Sequence, residues 1–322
     1  MRTLLIVNPY SRNGRSGKLT RRAMNYLTSK GCSFDYAEVK EFDDAYKLSV
    51  KANREGIENI IAVGGDGTIN KVLNGFYDEQ GRRVSGSRFG VIHTGTSPDF
   101  CKSYGIPLGI EEAAAAVISE SRREIPIGKI ELKSSPGDSS AGNTSVRYFA
   151  CCANIGLGAK LARAAGGGIR KYLGDAFGTF VSLAGILATY RGTGYEVNTE
   201  NGNTTPEKVF NISVGITNYI ASGLKVYRDP AIADNMFYMM TVAGINLSNA
   251  GAMLKKVYAG KPFTNTAYLH LDYTGYAEIT TESANDEVEF DGDPAGHLPC
   301  RIEMAKEKLT LLTGRKGNDG AE

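Results

Sequence analysis

Several features that would assign a chain to a large functional class are missing here. The formal net charge is only +2, so bulk electrostatics does not indicate a nucleic-acid binder. The five cysteines form no CxxC pair and only three histidines occur, so we expect no Cys/His zinc site. This cysteine usage also favours a reducing cytoplasm.

Long apolar runs are missing as well. No stretch reaches the roughly 20 apolar residues that a membrane-spanning helix needs. The run in MRTLLIVNPYS ends at Asn8, short of the about 7–15 residues of a signal-peptide core, so we expect a buried strand there. The 322 residues exceed the usual limit of about 250–300 for one core, which favours two domains.

The first 125 residues alternate between apolar, β-branched segments and amphipathic ones. This alternation predicts a parallel sheet with helices on its faces, an α/β domain over residues 1–125. The predicted strands are 3–7, 34–39, 60–63 and 89–93, and the predicted helices are 17–30, 43–55, a helix after 68, and 110–121.

The sequence changes character after Ile125. Apolar segments joined by Ser/Gly/Asn-rich turns predict an antiparallel β-sandwich over residues 126–304, and ENG at 200–202 predicts a hairpin. Two helical insertions are expected near 170–190 and 248–259. The predicted strands are 129–132, 146–153, 209–217, 236–242, 269–281 and 288–290.

The most informative stretch is IIAVGGDGTINKVLNG at 60–75, a strand that ends at a glycine-rich turn and opens a helix. Glycines let a ligand approach the backbone closely, and a helix N-terminus favours an anion such as phosphate. The alternative is an ordinary strand–helix turn in which Asp66 caps the helix. No GK[ST] follows, so this is not a Walker A loop.

Two further polar loops follow predicted strands of the same sheet. NPYSRNGRSGK at 8–18 offers Arg12, Arg15 and Lys18, and HTGTSPDF at 93–100 offers Gly95 and Thr96. The first of these is also compatible with a solvated basic loop. Because the carboxyl ends of parallel strands meet at one edge, the three loops together predict a nucleotide crevice there.

The ordered motifs NPxS, GGDGTxN, NG, GT, DF and GIP resemble the diacylglycerol kinase catalytic-domain family, which includes bacterial lipid kinases, sphingosine kinases and ceramide kinases. The resemblance continues through NIGLGA (154–159), RKYLG (170–174), DPAIADN (229–235) and FDGDP (290–294). It implies an N-terminal three-layer α/β nucleotide domain with the GGDGT loop, then a β-sandwich that holds the lipid. It also implies that the C-terminal segment, about 305–322 with a strand at 309–313, returns to the first domain.

The resemblance also implies site residues. ATP would be bound by Asn8, Pro9, Ser11, Arg12, Gly65, Asp66, Gly67, Thr68, Ile69, Asn70 and Thr96. A carboxylate beside a triphosphate needs a mediating cation, so Asp66 would act through Mg²⁺. The glutamate of the family's DGE motif, which accepts the proton of the lipid hydroxyl, corresponds to Asp293. In some members the turn at 231–236 holds a cation, here through Ala231, Asp234 and Met236, and a plain β-turn is the alternative.

The chain differs from the family pattern at several positions. Lys71 replaces an acid in GGDGTxNE, Pro126 stands where the family has an aspartate, and Asp293 is one methylene shorter than glutamate. GTGND becomes GTSPD. The expected function is an ATP- and Mg²⁺-dependent lipid kinase. The alternatives are a catalytically weak nucleotide- or lipid-binding homologue and an NAD kinase-like enzyme, because GGDGT also occurs in NAD kinases.

The expected partners are ATP, a lipid alcohol such as diacylglycerol or a sphingoid base, a membrane surface contacted transiently and, as an option, a second copy in a homodimer. No nucleic acid is expected. We therefore expect a cytoplasmic protein that associates peripherally with membranes. Residues 166–191 suit an interfacial helix, although a helix packed on the sandwich is equally compatible. Its apolar anchors are Phe177, Phe180, Val181, Leu183, Ile186 and Leu187, flanked by Arg170, Lys171 and Arg191.

Overall fold

The computed structural model divides into two compact units. The first comprises residues 1–127, 221–223 and 305–322, and the second comprises 128–220 and 224–304. The residues that the structure describes are 2–11, 16–41, 43–119, 121–133, 144–160, 190–220, 224–245, 251–252, 255–256, 259–282, 286–291 and 293–314.

The first unit alternates strands and helices, as the apolar pattern predicts. Its strands are β1 (Thr3–Val7), β2 (Asp35–Glu38), β3 (Asn59–Gly64), β4 (Arg88–His93), β5 (Arg122–Ile125) and β19 (Leu309–Leu312). Its helices are α1 (Ser16–Ser29), α2 (Asp44–Arg54), α3 (Asp66–Asn74), α4 (Asp99–Tyr104) and α5 (Ile110–Ile118).

These strands form one sheet in the order β2-β1-β3-β4-β19-β5. Neighbours from β2 to β19 pair in parallel, and β19 pairs with β5 in the antiparallel sense. The chain proceeds from β1 to β2 on one side and then returns to place β3 on the other side of β1. The connections after β1 and β3 therefore run to opposite sides, which makes the carboxyl ends of these two strands a topological switch point. Ligands bind at such points in open α/β sheets.

Helices cover both faces of this sheet. On one face α1 and α5 pack on the sheet through Leu27 and Ala114, which are fully buried with Leu5 and Ile61 of the strands. On the other face α2 and α3 are joined by Ser49, whose hydroxyl donates to the carbonyl of Val72 at 2.6 Å. The predicted three-layer α/β arrangement is confirmed.

The second unit is built on antiparallel strands. They are β6 (Gly128–Lys133), β7 (Thr144–Phe149), β8 (Cys152–Gly156), β9 (Glu196–Thr199), β10 (Gly202–Thr204), β11 (Val209–Gly215), β12 (Tyr219–Ile220), β13 (Leu224–Lys225), β14 (Phe237–Ala243), β15 (Leu269–Thr274), β16 (Tyr276–Thr280), β17 (Glu287–Phe290) and β18 (Asp293–Met304). The predicted hairpin at 200–202 joins β9 to β10.

Eleven of these strands form one sheet that curls around a core. Its main path is β10-β9-β16-β18-β17-β8-β11-β14-β15, and β6 joins it by pairing with β18 and β7. Phe149, Ile212, Val288 and Ile302 come from strands across the sheet and share one buried cluster. The antiparallel β-sandwich, in the form of a half-barrel, is thus confirmed.

Two predicted strands are broken in the structure. The stretch 146–153 divides into β7 and β8, because the carboxylate of Asp291 accepts the backbone N–H groups of Ala150, Cys151 and Cys152. The stretch 269–281 divides into β15 and β16 at Gly275, whose N–H donates to Glu200 at 2.8 Å. In both places a carboxylate distant in sequence takes the backbone donors that a continuous strand would use.

Some predicted elements fall where the structure gives no description. The helical insertion near 170–190 and the proposed membrane-facing residues from Arg170 to Leu187 lie outside the described residues, as does most of 248–259. In the parts of the chain that are described, no helix combines the length and the apolar character needed to cross a bilayer.

Candidate functional site

The three glycine-bearing loops of the first unit meet at the carboxyl edge of its sheet. The loops after β1 and β3 are joined by Asn8, whose amide donates to the hydroxyl of Thr68 at 2.9 Å. The loop after β4 is tied to β3 by the backbone N–H of Thr94, which donates to Gly64 at 2.8 Å. The predicted convergence of the loops is present in the structure.

Hydroxyl groups fasten the first loop to the third. Ser16 and Thr94 are both buried, and their hydroxyl oxygens lie 2.6 Å apart. The hydroxyls of Ser11 and Ser16 each donate to the carbonyl of Asn8 at 3.1 Å. These bonds tie Ser11 and Ser16 to Asn8 and tie Ser16 to the start of the loop after β4.

Glycine is required where the second and third loops touch. A Cβ atom on Gly95 would lie 2.5 Å from the Cα of Gly65, closer than real Cβ contacts allow. A Cβ on Gly64 would similarly collide with the side chain of Thr68. The loop backbones are therefore in direct contact, and any side chain at Gly95 would push them apart.

Asp66 is the first residue of α3, directly after the N-cap residue Gly65. The N–H groups of a first helical turn have no acceptor within the helix, so this end of α3 favours an anion. The carboxylate is 13% exposed and lies 3.8 Å from the imidazole Nε2 of His93, itself 7% exposed. Burial, and secondarily the negative charge of Asp66, raises the pKa of the Cys101 thiol. The charge of Asp66 therefore acts on the α4 side of the loops.

The predicted nucleotide-binding residues differ in exposure. Pro9, Ser11, Gly65, Asp66 and Gly67 are partly exposed, and Thr96 is exposed. By contrast, Thr68, Ile69 and Asn70 are at least 94% buried, and Asn70 accepts a hydrogen bond from the amide of Asn74. These three side chains hold α3 in place, so a ligand contact from them would have to come from the backbone. Arg12 lies outside the described residues.

The predicted base, Asp293, begins β18, where it pairs with Phe290. Its side chain lies outside the description that the structure supports. The preceding turn contains Asp291, which adopts a left-handed φ of 49°. Its carboxylate accepts three backbone N–H groups at 2.8–3.2 Å, which offsets the strain of this conformation.

A row of polar side chains crosses β17, β8 and β11 on the face opposite the core residues Val288, Ile155 and Ile212. The side-chain amide of Asn154 donates to the carboxylate of Glu289 at 2.9 Å, and the hydroxyl of Ser213 donates to the side-chain Oδ1 of Asn154 at 2.7 Å. Asn211 donates to Ser213 at 2.8 Å. Glu289 and Ser213 are only 5% and 1% exposed, and Asn154 and Asn211 are partly exposed. We call these four residues the buried row.

The predicted cation ligands lie in the turn that precedes β14. Ala231 and Asp234 are exposed and Met236 is half-buried. The guanidinium of Arg228 donates to the backbone carbonyls of Ala233 at 2.8 Å and Met236 at 3.4 Å. One of the three predicted ligand atoms, the carbonyl oxygen of Met236, is thus already in contact with a positive charge.

Sequence reasoning missed Ser16, His93 and Thr94 as components of this edge. Only their positions could have indicated this role: Ser16 begins α1, His93 ends β4, and Thr94 starts the loop after β4. Polar residues directly at the ends of parallel strands are the ones that meet across a switch point. Nothing in the residue types themselves distinguishes them from ordinary loop residues.

Comparison with known proteins agrees with this architecture. The family model of the diacylglycerol kinase catalytic domain matches residues 2–130. A diacylglycerol kinase of Staphylococcus aureus (strain bovine RF122 / ET3-1) is 25% identical over 312 residues, covering 94% of this chain and 89% of the relative. The diacylglycerol kinase of strain MRSA252 has the same identity and coverage.

A solved structure shows the same fold. The crystal structure of a diacylglycerol kinase from Bacillus anthracis str. Sterne matches with a TM-score of 0.69 and 20% sequence identity, covering 98% of this chain and 97% of that one. By class, the chain is therefore a relative of the lipid kinases. Residues 2–130 match the model of the diacylglycerol kinase catalytic domain, so the predicted resemblance to that family is confirmed.

Proposed function

We propose that this protein is an ATP- and Mg²⁺-dependent lipid kinase, which transfers the γ-phosphate to the hydroxyl of a lipid such as diacylglycerol or a sphingoid base. The observation that carries the proposal is the convergence of three loops around Asp66 in a unit that matches the diacylglycerol kinase catalytic domain. The activity of the named relatives supports the lipid class of the acceptor.

The proposed nucleotide site uses the backbone more than the side chains. The phosphates would lie against the first turn of α3, where N–H groups point outward and the helix dipole favours negative charge. Gly65 and Gly67 leave room for this approach, while Asn8 and Thr68 keep the loops in register. Positioning of this kind is the larger part of catalysis in phosphoryl transfer.

The residues at this edge fit a hard divalent cation. Asp66 supplies a carboxylate that is partly exposed next to the open glycine loop, and Mg²⁺ is commonly bound by one or two carboxylates together with phosphate and water oxygens. Bound Mg²⁺ would neutralise charge on the phosphates during transfer. Asp66 would hold the metal–nucleotide pair in register with α3.

We assign the proton acceptor to Asp293 on the basis of the family resemblance. An Asp293→Asn variant should bind ATP nearly as the wild type does, while kcat falls by about 10²–10⁴, the usual scale for losing a general base. Asp293→Glu restores the side-chain length of the family and should retain or raise turnover if the surrounding site keeps the family geometry. Wild-type turnover in Asp293→Asn would show that the proton goes elsewhere.

The decisive experiment is a transfer assay. Purified protein is incubated with γ-labelled ATP and Mg²⁺ in mixed micelles that contain a diacylglycerol, a sphingoid base, a ceramide or phosphatidylglycerol, and NAD is tested in parallel. We expect label in one of the lipids. Nucleotide binding without transfer to any lipid would refute the kinase proposal and favour the catalytically weak homologue, and label in NAD would favour an NAD kinase-like enzyme.

Two matched variants locate the activity. Asp66→Asn removes one negative charge at the loop edge, and Glu58→Gln removes one at the opposite end of the same strand, where Glu58 is exposed and pairs with Arg88 at 3.4 Å. Asp66→Asn should weaken Mg²⁺-dependent ATP binding and reduce turnover, because the charge that holds the metal is lost. Glu58→Gln should leave both unchanged.

A lipid acceptor requires contact with a membrane surface. We propose that residues 166–191, most of which lie outside the described part of the chain, make this contact transiently. Flotation with anionic liposomes tests this: the Phe177→Asp/Phe180→Asp double variant should lose binding. Unchanged flotation would exclude docking through this segment.

A further inference from the structure

The turn at residues 229–236 is organised around a guanidinium group. Arg228 is half-buried, and its Nη2 donates to the carbonyl oxygens of Ala233 at 2.8 Å and Met236 at 3.4 Å. Its Nε atom is fully buried. The Arg228 side chain therefore folds back along the turn and donates hydrogen bonds to carbonyl oxygens at the far end of the turn.

Other bonds fix the near end of the same turn. The backbone N–H of Asp229 donates to the hydroxyl of Tyr273 at 2.7 Å, and the Asp229 carboxylate accepts the N–H of Ala231 at 2.9 Å. Two backbone bonds within the turn join Ile232 to Asp229 and Met236 to Ala233. With both ends fixed, the carbonyl oxygens of Ala233 and Met236 lie within hydrogen-bond range of the same Nη2 atom.

In some members of the diacylglycerol kinase catalytic-domain family, carbonyl oxygens of this turn bind a structural cation. Mg²⁺ binds oxygen ligands at about 2.0–2.1 Å and Ca²⁺ at about 2.3–2.6 Å. An ion held by the carbonyl of Met236 at such a distance would lie close to the Arg228 guanidinium, which donates to that same oxygen. A divalent ion and a permanently charged guanidinium repel each other at that separation. The residues present therefore do not fit a bound cation.

We propose that the Arg228 guanidinium takes the place of a structural cation in this turn. It supplies positive charge to the carbonyls of Ala233 and Met236, as a metal ion would, and its several N–H donors let one side chain serve two acceptors. The turn keeps its conformation without metal. Any Mg²⁺ requirement of the protein then reports on the nucleotide site alone.

Thermal unfolding without nucleotide tests the proposal. The midpoint Tm of wild type is measured in EDTA, Mg²⁺ and Ca²⁺ at matched ionic strength, alongside Arg228→Gln and Arg228→Ala. We expect the wild-type Tm to be unaffected by either ion through this turn. Both variants should unfold about 2–6 °C lower, because the carbonyls lose a charged donor. Mg²⁺ or Ca²⁺ should then restore part of the loss in a saturable way.

Three controls make the outcome specific. Adding Asp234→Asn to Arg228→Gln should remove the metal response, since that carboxylate is the anionic ligand a cation in the turn would use. Asp66→Asn identifies any response that arises at the loop edge instead. Arg147→Gln is the matched arginine control, because Arg147 is exposed on β7 and donates to the carbonyl of Val146 at 3.0 Å.

Two results would overturn the proposal. One is a saturable rise in wild-type Tm with Mg²⁺ or Ca²⁺ that Asp234→Asn abolishes, which would show a native cation site. The other is an Arg228→Gln protein as stable as wild type. The wild-type and Asp234→Asn comparison needs no Arg228 variant, so the proposal stays testable if those variants do not fold. This test measures Tm and does not use the lipid-transfer assay, so a failure of the kinase proposal would be distinguishable from a failure of this one.

Discussion

The curled sheet of the second unit contains the same hydrogen bond in two different environments. In the buried row, the amide of Asn154 donates to Glu289 at 2.9 Å, and Glu289 is 5% exposed. Near the other end of the sheet, the amide of Asn198 donates to Glu278 at 2.8 Å, and the Glu278 side chain is 36% exposed. The donor group, the acceptor group and the distance are alike, whereas the two acceptor carboxylates differ in their exposure to water.

The second pair belongs to a ladder of charges across β6, β18, β16 and β9. Lys129 contacts Glu131 at 2.5 Å and Glu303 at 3.2 Å, and Arg301 contacts Glu303 at 3.3 Å and also pairs with Glu278. We call this the exposed ladder. We expect the two rows to differ in their contribution to stability, although their residue types are similar. Lys129 of the ladder is itself buried, but the other charged side chains of the ladder are 34–46% exposed. We expect burial to decide the energetic weight, because water competes for the bonds of these exposed side chains.

The largest effect should come from removing the amide of the buried row. Asn154→Ala deletes the donor to a buried carboxylate and the acceptor of the Ser213 hydroxyl, so we expect the free energy of unfolding to fall by about 2–3 kcal/mol. Asn198→Ala removes the equivalent bond in the ladder and should cost less than about 1 kcal/mol. Urea unfolding of both variants measures the difference, and equal losses would mean that burial is not the deciding variable.

An intermediate effect on stability should appear at alkaline pH, and it should come from the core-facing side of β18, the strand that carries Arg301. Cys300 precedes Arg301 on β18 but faces the core, and burial raises the pKa of its thiol to about 12. The unfolded thiol ionises near pH 8.5 and the folded one does not, so the unfolded state binds fewer protons. Stability is then fully present below that pH and falls above it, by about 1 kcal/mol between pH 8 and about 9.5.

The measurement is the slope of unfolding free energy against pH for wild type and Cys300→Ala. Comparing slopes cancels the packing loss of the substitution, which is the same at each pH. The variant should have the shallower decline. Parallel slopes would show that the Cys300 thiol titrates alike in both states. The range stops below pH 10 because the buried tyrosine Tyr195, whose pKa burial also raises, adds a similar slope at higher pH.

The smallest effect on stability should come from Arg301, the outward-facing neighbour of Cys300. Arg301 is 46% exposed, and its contacts with Glu278 and Glu303 are screened by solvent, so Arg301→Met should change the free energy of unfolding by less than about 1 kcal/mol. The difference from wild type should shrink further between about 0.1 M and 1 M salt, as the Debye length falls from about 10 Å to about 3 Å. A loss above 2 kcal/mol that salt does not reduce would place the ladder in the same energetic class as the buried row.

The periodic parts of the fold could be predicted from sequence. Apolar runs such as LLIV before Asn8 and IIAV before Gly64 located β1 and β3 closely, because every residue of β3 and all but one of β1 are buried. The interruptions could not be predicted. Asp291 and Glu200 break strands by accepting backbone N–H groups of residues far away in sequence, and no local pattern records such a contact.

The location of the candidate site could be predicted from the sequence, but the roles of its individual residues could not. The three loops were recognisable from glycines at strand ends, yet the roles within them were not. Ile69 and Asn70 share the motif with Asp66 but face the interior, since α3 turns them towards the sheet. Arg228 illustrates the same limit. It stands just before the motif DPAIADN, and its effect on the turn follows from a folded-back side chain that sequence spacing does not show.

The position of β19 has a consequence for synthesis on the ribosome. This strand lies between β4 and β5 in the first sheet, although 183 residues of the chain, 126–308, separate it from β5. The strand that joins β5 to the rest of the sheet therefore leaves the ribosome roughly ten to forty seconds after β5 at usual elongation rates. During that interval β4 presents an unpaired edge, and the first unit cannot complete its sheet before the second unit has been synthesised.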